Sequence, residues 1–211
     1  MKSVLIVSFL FVHFVVSAQT DKRAGAILDA MSNNFKTMTS FRVAFTYLTE
    51  GAGVRETLKG DATIKGTKFR LKMAGQEIFN DGKIQTTYIK ESNEANISEF
   101  DPSDAAELNP TKIYTIYKKG YKYVFIEEVK EKGATYEVIE LSPDNKASKV
   151  SKVQVKVNKA DKSVKSWRVT QKNGQKLVFR VDKLTPNLRI EDKFFVFDAK
   201  LYPGVEVNDL R

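Results

Sequence analysis

The sequence has no cysteine, and its one histidine, His13, lies close to the N-terminus. A chain without thiols makes no disulfide and offers no cysteine nucleophile. Without a histidine beyond His13 it has no Ser-His-Asp or Cys-His constellation, and it lacks the usual zinc and copper ligands. Long apolar runs are also scarce. The one from Val4 to Val16 is too short to cross a bilayer, and no later stretch is longer. What remains for catalysis is carboxylate-pair chemistry, as in glycoside hydrolysis. These absences lower the expectation of an enzyme, and no cofactor and no metal are expected.

The apolar run that is present has its own reading. In "MKSVLIVSFLFVHFVVSAQT" a lysine precedes the apolar stretch, and small residues end it at Val16-Ser17-Ala18. This is the pattern of a secretory signal peptide. The expected division is a leader over 1–18 and one exported domain over 19–211. No cysteine follows the leader, so no lipid is attached there. The formal charge is +9, with Lys2 its only contribution from the leader. In an exported protein a basic balance suits anionic membrane surfaces or acidic partners. Most of the lysines and arginines read more simply as the solvated faces of strands.

Past the leader the hydrophobic period is helical. Ala24, Ile27, Leu28, Met31, Phe35 and Met38 form one stripe, with Asp21 placed to cap its start. From Ser40 the period falls to two. "FRVAFTYL", "VRETLKGDATIK", "KFRLKM", "QEIF", "IQTTYIK" and "EANISEF" follow one another as strands, with turns such as "NDGK". Short links between consecutive strands imply antiparallel pairing. Asn109-Pro110 then reads as a helix start, with Ile113, Ile116 and Tyr117 as its apolar face and Gly120 as its end. Strands resume with "YKYVFIEEV", "TYEVIEL", "KVQVKV", "VKSWRVTQ" and "KLVFRVDKL", and Asn173-Gly174 is a hairpin signal. Phe194, Phe195 and Phe197 read as a short apolar strand near the C-terminus, followed by a turn at Pro203-Gly204. Pattern counting gives about ten or eleven strands and two or three short helices. A meander of that length must curl or pair to bury its apolar face. Its concave side is either a filled core or a ligand cavity.

Several strings then resemble, in order, the LolA family of periplasmic lipoprotein carriers: "SFRVAFT", the run "GDATIKGTKFRLKM", the "NDGK" turn and the ending "FFVFDAKLYPGVEVNDLR". The resemblance spans essentially the whole chain after the leader. It implies an unclosed, strongly curved antiparallel β-barrel, with short helices forming a lid over a hydrophobic concave cavity. The implied role is to shield lipoprotein acyl chains and move them from the inner to the outer membrane. The implied partners are an inner-membrane lipoprotein-releasing ABC transporter and a LolB-like acceptor, with the carrier itself a monomer. On this reading Phe45, Tyr47, Leu58, Ile64, Phe69, Leu71, Met73, Ile78 and Tyr88 are the candidate cavity lining. The best-known members carry an arginine in the turn before the phenylalanine strand, where it is thought to hold the lid. Gly66 stands at that place here, and the alternation turns the nearby Lys65, Lys68 and Arg70 outward.

Other classes fit parts of the chain. A carrier or sensor of another amphiphile, such as a glycolipid or pigment lipid, is the nearest alternative. Asp101, Asp104 and Glu107 could serve a carboxylate enzyme, but helix-start charges in a solvated loop explain them more simply. "YKKGYKYVF" superficially resembles an aromatic and basic nucleic-acid platform. Nucleic acid is not the expected partner.

Overall fold

The computed structural model describes residues 21–51, 53–101 and 114–211. The expected helix is α1 (Lys22–Lys36), capped by Asp21, whose carboxylate accepts from the backbone N–H groups of Arg23 and Ala24. The stripe of Ala24, Ile27, Leu28, Met31 and Phe35 is buried. Side chains at this spacing share one face of the helix, and burying each of the larger ones contributes about 1.5–3 kcal/mol.

Twelve strands follow among the described residues. They are β1 (Phe41–Gly51), β2 (Val54–Lys65), β3 (Lys68–Met73), β4 (Gln76–Asn80), β5 (Ile84–Ile89), β6 (Glu94–Glu99), β7 (Tyr121–Glu131), β8 (Ala134–Pro143), β9 (Val150–Asn158), β10 (Val164–Gln171), β11 (Lys176–Pro186) and β12 (Glu206–Asp209). All lie in one sheet, in the order β12-β6-β5-β4-β3-β2-β1-β11-β10-β9-β8-β7. The end strands do not pair with each other, so the sheet is unclosed. Each sequential half is a meander. The seam is the antiparallel pairing of β1 with β11, from Phe41 opposite Pro186 to Glu50 opposite Lys176. Among the described residues every pairing is antiparallel except that of β12 with β6, which is parallel.

The sheet curls round α1. Buried partners of the helix come from both halves: Phe41, Val43, Ala62, Ile64, Phe69 and Leu71 from one, and Ile139, Leu141, Val155, Val157 and Trp167 from the other. Asp21 also pins the helix to edge strand β7. Its second carboxylate oxygen accepts from Phe125 N–H at 2.8 Å, and its own N–H donates to Tyr123 O at 3.3 Å. That bond from Phe125 is the largest influence holding the Asp21 carboxyl below its ordinary pKa. Farther along, Tyr117 donates its hydroxyl to Asp29 at 2.6 Å.

Two expectations need correction. Phe194 and Phe195 do not form a strand: residues Asp192–Phe195 are a 3-10 turn, and Phe197 follows outside any strand. The strand in this region is β12, which the sequence reading did not anticipate, reached after a second 3-10 turn at Ala199–Leu201. The helix expected from Asn109-Pro110 falls largely on residues outside those described. Its visible end is a 3-10 turn at Ile116–Lys118, followed by Gly120 at φ +79°.

Candidate functional site

In a sheet, residues paired directly across strands share a face. Following the registers from β1 outward places Phe45, Tyr47, Leu58, Ile64, Phe69, Leu71, Met73 and Ile78 together on the face that carries α1. Tyr88 lies opposite Glu77, one residue out of step with Ile78, and so belongs to the outer face. There its ring lies against Tyr202, with centroids 4.4 Å apart, and its hydroxyl donates to Asn93. The physical reason is parity. Strand β5 alternates Gln85, Thr87 and Ile89 inward with Ile84, Thr86 and Tyr88 outward, and both sets contain apolar residues. Composition alone does not choose between them.

The inner residues fall into two groups. Ile64, Phe69 and Leu71 are buried under the helix. Phe45 and Ile78 pack against that core, Ile78 directly opposite Leu71, while Tyr47, Leu58 and Met73 lie farther along the strands; all five are only half-buried. Residues from the other half extend this second group. Phe179 of β11 stands opposite Tyr47, with ring centroids 4.6 Å apart, and Val181 stands opposite Phe45. Val169 continues the patch on β10. Sequence reasoning missed Phe179, Val181 and Val169. Their alternation was plain, but only the β1–β11 seam places them beside Phe45 and Tyr47. Gly60 shapes this patch. A Cβ there would lie 2.6 Å from the Phe45 ring and 2.7 Å from the Lys72 carbonyl. The ring therefore lies across the bare glycine backbone.

At the C-terminal end of α1 is a cavity of about 230 Å³, lined by Phe35, Met38, Phe41, Ile64 and Tyr114, among others. Tyr114 stacks on Phe35 and is set edge-on to Phe41. Its burial raises the pKa of its phenol. Gly66, at φ +60°, is on the rim. A tight turn at positive φ suits glycine. No side chain extends from this position toward the cavity. The lysines that flank it point outward. Lys65 donates to the Ile190 carbonyl and to Asp192, each at 2.8 Å, and Lys68 donates to Asp192 at 2.6 Å. The hairpin turn is thus tied to the C-terminal tail. Those two lysines hold the Asp192 carboxyl at a pKa of about 2.

The face that carries the apolar residues changes across the sheet. On β5 and β6 the inner face bears Gln85, Thr87, Asn96 and Ser98, and Asn96 accepts a hydrogen bond from Asn208 of β12. The apolar side there is the outer one, where Phe79, Tyr88, Phe197 and Tyr202 form a ring cluster. The tail covers it, and Phe195 is only 1% exposed. Arg70 lies over the rings of Phe79 and Phe194 and is paired with Glu77. Burial opposes the charge of Glu77, but hydrogen bonds from Lys72 and Arg70 outweigh it and keep its pKa below the usual value. Among the described residues no cluster of three or more His, Asp or Glu could hold a metal ion, and no helix is long and apolar enough to cross a membrane.

Residues 18–175 match the family described as outer membrane lipoprotein carrier protein LolA. No curated protein matches the chain in sequence. Among solved structures it is similar to an uncharacterized conserved protein from Thermus thermophilus, with a TM-score of 0.60 and 11% identity over 89% of this chain and 99% of that one. It is also similar to LprF from Mycobacterium bovis, with a TM-score of 0.51 and 9% identity over 80% of this chain and 96% of that one. At such identities these likenesses describe the fold.

Proposed function

The chain belongs to the family of the outer membrane lipoprotein carrier protein LolA, and from that premise we propose that it is a non-catalytic periplasmic carrier of lipid-anchored proteins. The leader is removed after Ala18, and the domain of residues 19–211 shields the acyl chains of its cargo between the inner and outer membranes. An inner-membrane ABC transporter supplies the cargo and a LolB-like protein accepts it. The observation that carries this reading is the half-buried apolar patch of Phe45, Tyr47, Leu58, Met73, Ile78 and Phe179 on the inner face of the sheet. An acyl chain gains about 0.8 kcal/mol for each methylene taken out of water. Phenylalanine and methionine on a curved sheet accommodate chains of variable shape. The test is to purify the exported protein from an envelope fraction and identify what it carries by mass spectrometry. Acylated cysteine peptides are expected, at a level at least tenfold lower in Phe45→Asp. Recovery of the wild-type protein with no acylated peptide would overturn the proposal.

A second reading has its own support. The inner face of β5 and β6 offers amide and hydroxyl groups from Gln85, Thr87, Asn96 and Ser98 beside the apolar patch. Uncharged hydrogen-bonding groups of this kind suit the head group of a glycolipid. The same mass spectrum separates the two, since a sugar-bearing lipid in place of a cysteine peptide selects the second.

A further inference from the structure

A second cavity lies on the outer face of the sheet, the face opposite the inner apolar patch. It is a trough of about 920 Å³. Its lining comes from six adjacent strands: Lys183 and Thr185 of β11, Arg42 and Ala44 of β1, Lys59 and Asp61 of β2, Lys72 of β3, Glu77 of β4 and Tyr88 of β5. Lys90 closes it just beyond β5. At about 4.8 Å between neighbouring strands, six strands extend over roughly 24 Å.

The charges in the trough do not balance. Arg42 is paired with Asp61 at 2.9 Å, and Lys72 with Glu77 at 3.0 Å. Those pairs use both carboxylates of the lining. Lys59, Lys90 and Lys183 are left, all exposed, and no ion pair to any of them is found among the described residues. The first two stand toward opposite ends of the β1–β5 meander, and Lys183 stands across the β1–β11 seam. A folded protein does not collect three unpaired cations around one concavity for stability, because like charges there repel. Their placement is complementary to a partner with negative charge spread along its length.

We propose that this trough docks an extended, acidic polypeptide segment of a partner protein. An extended chain advances about 3.3 Å per residue, so roughly seven residues fit the trough. Ala44 and the part of the Tyr88 ring that the tail residues Phe197 and Tyr202 leave open provide apolar contact on its floor, while the lysines meet carboxylates along its walls. A flat lipid surface would touch the rim and leave that floor empty. Because lysine ammonium groups act as strongly hydrated point charges, the attraction is screened by salt.

The experiment uses the isotope-labelled exported domain and a synthetic heptapeptide of alternating glutamate and leucine, with the glutamine counterpart as control. Amide shift changes are expected at Ala44, Asp61, Lys72 and Lys183 with the glutamate peptide and not with the glutamine one. Affinity should fall at least tenfold in the Lys59→Glu, Lys183→Glu double variant, and several-fold when salt rises from low to physiological strength. Lys90→Glu, alone on its loop, provides an independent variant with the same direction of effect. Equal shifts with both peptides, or shifts confined to the inner face, would overturn the proposal. Binding to phosphatidylglycerol vesicles that needs Lys59 and Lys183, with no peptide binding, would overturn it in favour of a lipid surface.

Discussion

At the scale of single residues, the inner patch rests on an absence at Gly60. The Phe45 ring and the Lys72 carbonyl already occupy the space a side chain would need. Gly60→Val should cost about 1–3 kcal/mol, the usual penalty for overpacking a filled site, read as a lower urea midpoint with an unchanged slope. Tyr202 makes a prediction of the opposite kind, through its proton. Its hydroxyl donates to Glu77 at 3.0 Å, and burial, reinforced by Glu77, raises its pKa from 10.0 to about 12. A group whose folded pKa is raised contributes stability below its unfolded value and loses it as pH climbs through the folded one. The advantage of the natural protein over Tyr202→Phe should therefore be full at pH 9 and vanish by about pH 12. Urea midpoints of the two proteins across that range test it, and a constant difference would refute the assignment.

At the scale of elements, regular segments were readable and irregular ones were not. Helix α1 announced itself through the spacing of Ile27, Leu28, Met31 and Phe35, and Asp21 marked its first turn. Strands β1 to β6 and β7 to β11 followed from alternation and from turns such as Asn173-Gly174. The tail did not. Three phenylalanines in four positions have the composition of a strand, yet Phe197 packs on the outer rings of β4 and β5, and Phe194 and Phe195 lie in a 3-10 turn rather than beside a neighbouring backbone. The sequence holds no local trace of that, because Lys65 meets Asp192 across 127 positions. The inner-face residues were legible as a set on β1 to β3, where one face is plainly apolar. They were not on β5, where Tyr88 and Ile89 compete for the same side. The lysine clasp on the tail gives a sign-definite prediction. Asp192 has a folded pKa of about 2 against an ordinary 3.8, so its contribution is present above pH 4 and is lost as pH falls toward 2. The Asp192→Asn variant should start less stable near neutrality and converge with the natural protein at about pH 2. Hydrogen exchange at the tail amides should show the same convergence.

At the scale of the whole molecule, the seam between β1 and β11 decides whether there is one sheet or two. The match to the carrier family ends at residue 175, one position before β11 begins. A chain stopped after Gln175 keeps every strand of the second meander but β11. It loses the ladder from Phe41 to Glu50 and exposes Phe45 and Val43 along a free edge. We expect it to be recovered mostly as aggregate, with no cooperative urea transition, whereas removal of residues 206–211 alone should leave the fold intact. Equal solubility of the Gln175 truncation and the full chain would show that the two halves stand independently. The seam also sets a timetable. A chain that emerges N-terminus first, from the ribosome or from an export channel, presents β1 well before its partner β11. Through that interval the first meander has a helix with only half its bed and a strand with one bare edge. The nascent chain is thus kept from locking early, and its commitment to the native state comes late, as its final segments emerge.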